Sequence, residues 1–200
     1  MGCAAPNPLH WEDLRLRKTE HVLGREGVTL APDGHAYEVR FLDSLYRVDP
    51  IDESITEILP RPDRILTEEF QILLIRYLVA EYGGPLDGKE VSEKDLTGGV
   101  TFFQGPHALP TVPIARRYGR NPEAFADVGR KLGAIPQAHG DRSMCFFPFP
   151  LLPVTYVLWM EDEEFPASVS VLFDSSISRW FALDMVFTLV WVLAERILEA

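Results

Sequence analysis

The segment over residues 183–199 constrains this chain more than any other. At helical spacing, Leu183, Val186, Phe187, Val190, Leu193, Ala194 and Ile197 line one side, while Met185, Leu189 and Val192 make the other side apolar as well. A helix apolar nearly all round is buried on both faces. It does not read as a membrane span, because the apolar stretch over 180–194 is about fifteen residues and is interrupted by Asp184 and Thr188, short of the ~20 that a bilayer requires. The chain must sandwich this helix within its own fold or bury it between two copies, and Trp180 and Trp191 contribute heavily to either arrangement. With 200 residues, 46% apolar and 11% aromatic, it has the core-forming side chains to do so as one domain; a homodimer is the alternative.

Residues 10–24 predict a short amphipathic helix with Trp11, Leu14, Leu16 and Val22 at apolar positions and Gly24 as its stop, after a flexible N-terminus over 1–9. Short β-compatible runs follow at 28–30, 37–42, 45–48 and 51–58, divided by a Pro-Asp-Gly turn and by Asp-rich breaks, the pattern of an antiparallel meander. Thr67 then caps a helix whose first turn carries Glu68 and Glu69 and whose end is set by Gly83 and Gly84. Past a polar stretch and the run VTFF at 100–103, Asn121 and Pro122 open a third helix that closes at Gly133. Strands are expected over 144–147, 154–160 and 169–173, the last two joined by the acidic turn EDEEFPAS, before the C-terminal helix. Strands and helices come in runs without βαβ alternation. That predicts an α+β fold, a single domain over 10–200 with antiparallel sheet covered by helices near 67–82 and 183–199.

Nineteen Lys and Arg against thirty Asp and Glu give a formal charge of −11, which argues against nonspecific binding to nucleic acid or an anionic membrane. Two cysteines, Cys3 and Cys145, supply neither a disulfide framework nor a CxxC spacing, so no iron-sulfur cluster is expected. The opening MGCAAPNP lacks the basic and apolar regions of a signal peptide, and Pro6 stands where a myristoylation motif needs Ser or Thr; a cytoplasmic location follows as the expectation. The stretch GGPLDGK over 83–89 matches the G-x-x-x-x-G-K skeleton of a phosphate-binding loop, but Glu90 replaces the Ser or Thr that would hold magnesium, and the stretch follows a helix instead of a strand.

Charge is unevenly spread. Residues 96–158 carry six basic and three acidic side chains and are the one net-positive block. Within it, Arg116, Arg117 and Arg142 accompany His107, His139 and Asp141, and these six residues are expected to border one concave surface that takes an anionic ligand. His107 sits in FFQGPHALP, where two prolines and Gly105 hold a loop that can present its imidazole to a metal ion or to the metal of a cofactor. A plain hydrogen-bonding role is the competing reading, since ligation of an ion needs further donors. Asp141 and Asp174 stand where loops meet predicted strands, positions that suit turn capping; convergence with Glu163 or Glu164 would instead hold a hard cation or make an acid-base pair. The acidic run 161–164 is a solvated hairpin tip or a docking point for a basic protein partner. His10, His21 and His35 read as ordinary surface positions.

The C-terminal third, from Gly140-Asp141 through FPFPLLPVTYVLW and DEEFPASVSVLFDSS to the closing helix, resembles the domain of unknown function family numbered 3786, as do FFQGPH, the Leu132-Gly133 pair and FQILLIRYL. The resemblance runs from about residue 10 to the end. It implies a cytoplasmic protein of anaerobic bacteria and archaea, with relatives joined to iron-sulfur modules or encoded near corrinoid metabolism; it supplies no reaction. This chain lacks the cysteines for a cluster. Three classes of function are therefore carried forward. They are a binding module for an anionic cofactor, metal or tetrapyrrole (corrinoid) ligand, an adaptor docking on a redox or corrinoid enzyme through its acidic face, and an enzyme of unrecognised type.

Overall fold

Two antiparallel sheets share one core in the computed structural model, which describes residues 6–59, 66–81 and 83–200. The first is the expected meander: β1 (Val28–Leu30), β2 (Tyr37–Phe41), β3 (Ser44–Asp49) and β4 (Ser54–Leu59), in that order. Alternation sets its inner face, since Tyr37, Val39 and Phe41 of β2 are buried while Arg40 points to solvent. The second sheet has the order β5-β9-β8-β7-β6, with β5 (Glu90–Ser92), β6 (Ile135–Gln137), β7 (Arg142–Phe149), β8 (Leu152–Trp159) and β9 (Ser168–Asp174). The hairpin with the acidic turn is β8–β9.

Helices fill the space between and around the sheets. They are α1 (Pro8–Leu16), α2 (Thr19–Leu23), α3 (Glu68–Val79), α4 (Gly99–Phe102), α5 (Val112–Tyr118), α6 (Pro122–Lys131), α7 (Ile177–Trp180) and α8 (Leu183–Glu199). Helix α3 ties the sheets together. Phe70 packs edge-on against Phe41 and Tyr46 of the first sheet, with ring centroids 4.9 and 5.0 Å away, and Tyr77 stacks on Phe149 of the second at 3.8 Å. At the seam the Leu42 N–H donates to the Pro148 carbonyl at 3.0 Å. Helix α8 is packed on two sides, but the side bearing Phe187 and Trp191 stays open, against the expectation that Trp191 would be buried. On one side Arg196 lies over the Phe70 ring and donates to the Tyr46 hydroxyl; on the other, the hydroxyls of Tyr156 and Tyr118 donate to the carbonyls of Val190 and Ile197 at 3.0 and 3.1 Å. Among the described residues no helix is long and apolar enough to cross a membrane.

Several local expectations need correction. The first helix starts at Pro8, inside the stretch expected to be flexible, because the Asn7 side chain caps it by accepting the Leu9 N–H at 3.0 Å. It is also two helices, parted where Arg17 and Lys18 adopt extended backbone. Helix α3 ends at Ala80, short of the glycines, because the buried Arg25 guanidinium donates to the Ala80 carbonyl and supplies the C-cap from another part of the chain. The run at 100–103 contributes to helix α4. Cys3 lies outside the described residues.

Candidate functional site

The loop carrying His107 is built from tight turns. Gly98 takes a left-handed φ of 80° and starts α4; Gly105, at φ 55°, starts a 3-10 turn over Gly105–His107, in which the Ala108 N–H donates to the Gly105 carbonyl at 3.1 Å. Open space surrounds Gly105, so the position calls for its backbone conformation and not for close approach. The turn lays the exposed His107 ring flat on Phe102, centroids 4.7 Å apart and planes 14° apart, with its edge toward Phe187 of α8 at 5.7 Å. One helical turn further, Trp191 lies 5.9 Å from Phe187 and is 43% exposed. Phe102, His107, Phe187 and Trp191 thus form an aromatic row open to solvent. Neither ring nitrogen of His107 has a hydrogen-bond or ion-pair partner among the described residues.

The other candidate residues are not gathered around it. Arg116, on α5, is exposed and makes no ion pair among the described residues. Arg117 donates to the Leu198 carbonyl at 2.6 Å, eleven positions along α8 from Phe187 and so about 16 Å away along the helix axis. His139 pairs through Nε2 with Glu90 at 2.9 Å, and its backbone N–H donates to the Ser143 hydroxyl. Arg142 pairs with Glu123 of α6 on the face where Met144 meets Gly129; by strand alternation, Ser143 and the His139 loop lie on the opposite face. Asp141 accepts the Met160 N–H at 2.7 Å. Arg117, His139, Asp141 and Arg142 thus each have a local partner of their own.

The acidic candidates serve the backbone. Asp174 accepts the N–H groups of Asp87, Gly88 and Ser176. Burial pushes its carboxyl up, but the bonds from Ser176, Asp87 and Gly88 outweigh it and hold the group below the usual range. In the hairpin tip, Asp162 accepts the N–H groups of Glu164 and Phe165, and Glu161 pairs with Arg120. Among the described residues no group of three or more His, Cys, Asp and Glu is placed to hold a metal ion. Burial pushes the Cys145 thiol up, which keeps it protonated and a poor nucleophile.

Sequence reasoning missed one charged cluster. His35 lies between Asp33 and Asp49, with Nδ1 3.4 Å from the first and Nε2 3.2 Å from the second, while Arg47 pairs with both carboxylates. The tight turn at Leu42–Asp43 sets a register that puts Asp49 level with Ala36, next to His35, so the β2–β3 hairpin contained the signal. Both imidazole nitrogens face carboxylates, which suits a structural ion network better than a proton carrier.

Two comparisons are negative: no curated protein matches the chain, and no solved structure does. A family model does match, across residues 19–196; its description is a domain of unknown function (DUF3786).

Proposed function

The chain belongs to the DUF3786 family, and from its geometry we propose a non-catalytic binding module whose recognition surface is the aromatic row headed by His107. The ligand class we assign is a planar, anionic cofactor of the tetrapyrrole or corrinoid kind. The exposed imidazole with two unpartnered nitrogens, set among aromatic rings, carries this reading. A bare metal ion needs three or four protein donors, and among the described residues no group of three or more His, Cys, Asp and Glu is placed to hold one. A macrocycle that brings its own donors would need from the protein an imidazole nitrogen and apolar contact for its face. His107 would supply the first, and Phe187 and Trp191 the second.

Reconstitution tests the proposal. Purified chain titrated with hemin is expected to give a shifted, saturable Soret band, and His107→Ala is expected to weaken binding at least tenfold without loss of fold. An unshifted spectrum, or equal binding by the variant, overturns the proposal.

A second reading, an adaptor docking on a basic protein partner, is favoured by the β8–β9 tip. There Glu163 and Glu164 stand exposed beside Phe165, which is 66% exposed. Under that reading, Glu163→Lys with Glu164→Lys abolishes capture of the partner enzyme and leaves hemin titration unchanged.

A further inference from the structure

At the seam of the two sheets, Arg40 of β2, the turn residues Leu42 and Asp43, the end of α6 at Arg130, Lys131 and Leu132, and the β7–β8 turn border a half-open cavity of about 400 Å³. That volume falls in the range of small-molecule sites. Its charge runs against the chain as a whole. Three cationic residues and one acidic residue, Asp43, line it, on a molecule of formal charge −11.

These cations are poorly satisfied by the protein itself. Arg40 has no carboxylate partner among the described residues, and Lys131 donates to an oxygen of Ala200 at 3.2 Å. The partner of Arg130 is Asp127, three residues back on the same helix, in a pair more than half exposed on both sides and so weakly held. The groove between α1, α3 and the α7–α8 junction is a useful contrast. Its Arg17, Arg76 and Arg179 are each matched, to Glu81 at 2.6 Å, Asp13 at 3.3 Å and Asp87 at 2.9 Å.

The walls are apolar and fixed. Leu42, Leu132, Phe147, Pro148 and Pro150 supply them. The bond from Leu42 to Pro148 locks one turn to the other. Gly27, at φ 78°, lets Pro150 approach so closely that a Cβ would stand 3.0 Å from its ring. A site held this way loses little freedom when a ligand enters.

We propose that this seam cavity binds a small phosphate monoester carried on a compact apolar body, gripped by Arg40, Arg130 and Lys131. Phosphate is favoured over carboxylate because it offers three acceptor oxygens to three cationic donors, where a carboxylate offers two. The apolar walls select the body. The ligand touches both sheets, Arg40 from the first and the α6 end from beside the second. The proposal uses none of the residues of the His107 surface and does not depend on that reading.

Phenyl phosphate, inorganic phosphate and benzoate, each titrated calorimetrically into the intact chain, test it. Phenyl phosphate is expected to bind saturably and at least tenfold more tightly than the other two. Arg40→Gln with Lys131→Gln is expected to weaken it at least tenfold, and Asp43→Asn to tighten it by removing a repulsion. Should the double variant fail to fold, the Asp43→Asn comparison decides alone. His107→Ala leaves phenyl phosphate affinity unchanged, so the two sites fail or stand separately. Absence of saturable binding, equal affinity for benzoate, inorganic phosphate bound as tightly as phenyl phosphate, or an affinity indifferent to these substitutions overturns the proposal.

Discussion

The carboxylate of Asp174 accepts the backbone N–H groups of Asp87 and Gly88 at 2.9 and 2.8 Å, so a side chain of the protein occupies the place a phosphate would take on the G-x-x-x-x-G-K skeleton. Arg179 completes the lock by donating to the Pro85 carbonyl at 2.7 Å and to Asp87. The stretch is a structural loop. Asp174→Ala should leave three N–H groups dependent on water and cost about 1–3 kcal/mol, without creating nucleotide affinity. A thermal melt of the variant checks this; an unchanged transition contradicts it.

Arg25 is 5% exposed and makes no ion pair among the described residues; its guanidinium donates to the carbonyls of His21 in α2 and Ala80 at the end of α3. Burial pulls its pKa down, yet two helix C-termini present the negative ends of their dipoles to it. Arg25→Met relieves the cost of burying a charge but strands two carbonyls. The second effect should win by about 1–3 kcal/mol in urea unfolding, with loss of order first at the C-terminal turn of α3.

The Asp33, His35, Arg47 and Asp49 cluster sets an acid limb. The His35 N–H, followed by that of Ala36 and the Arg47 side chain, holds Asp33 down at about 2. Burial raises Asp49, but the N–H groups of Asp52 and Ile51 and the Arg47 side chain outweigh it and hold the group low. A carboxylate with a depressed folded pKa adds stability above its unfolded value, near 4, that is lost as pH falls toward its folded value. Melting temperature should therefore fall between about pH 4 and pH 2, and Asp33→Asn should flatten that limb. A variant as acid-sensitive as the parent excludes this cluster as the cause.

Legibility in the sequence followed the range of the forces involved. Thr67 and Asn121 cap α3 and α6 as read, accepting the N–H groups of Phe70 and Ala124, because capping is local chemistry. Helix α8 keeps its expected bounds because its composition leaves no other use for it. Helix α5 was missed; it is seven residues long, lies between prolines, and depends on burying Ile114, Ala115 and Tyr118 against distant elements. Strands β5 and β6 are three residues each, too short to show a period, and pair only because a longer neighbour offers them an edge. The positive block was legible as composition, but its members lie on both faces of a sheet, and register across the seam decided that Arg40 would join Arg130 and Lys131.

The seam itself is open to a direct test at Phe149, which touches Tyr77, Phe41 and Phe181 and has no exposed surface. Truncation to alanine removes the ring through which α3 and the first sheet grip the second. Phe149→Ala should cost about 3–5 kcal/mol, the range for a large buried aromatic, and should lower cooperativity if the sheets then unfold apart. A loss below ~1 kcal/mol would mean that the sheets hold together by other contacts.

Two glycines beneath the aromatic row separate conformation from space. Gly105 needs its positive φ and has open surroundings, so Gly105→Ala should cost only the strain of a left-handed residue, about 1–2 kcal/mol, and leave the ring of His107 on Phe102. Gly99 needs the space, since a Cβ there would stand 1.8 Å from the Glu93 carbonyl oxygen. Backbone cannot yield as a flexible side chain does, so Gly99→Ala must displace α4 or the 3-10 turn over Glu93–Asp95, and with it Phe102. Amide exchange over residues 96–108 reads the difference: near-native protection in Gly105→Ala, broad loss in Gly99→Ala. Equal protection in the two variants would show that the packing of α4 against that turn does not hold the His107 loop in place.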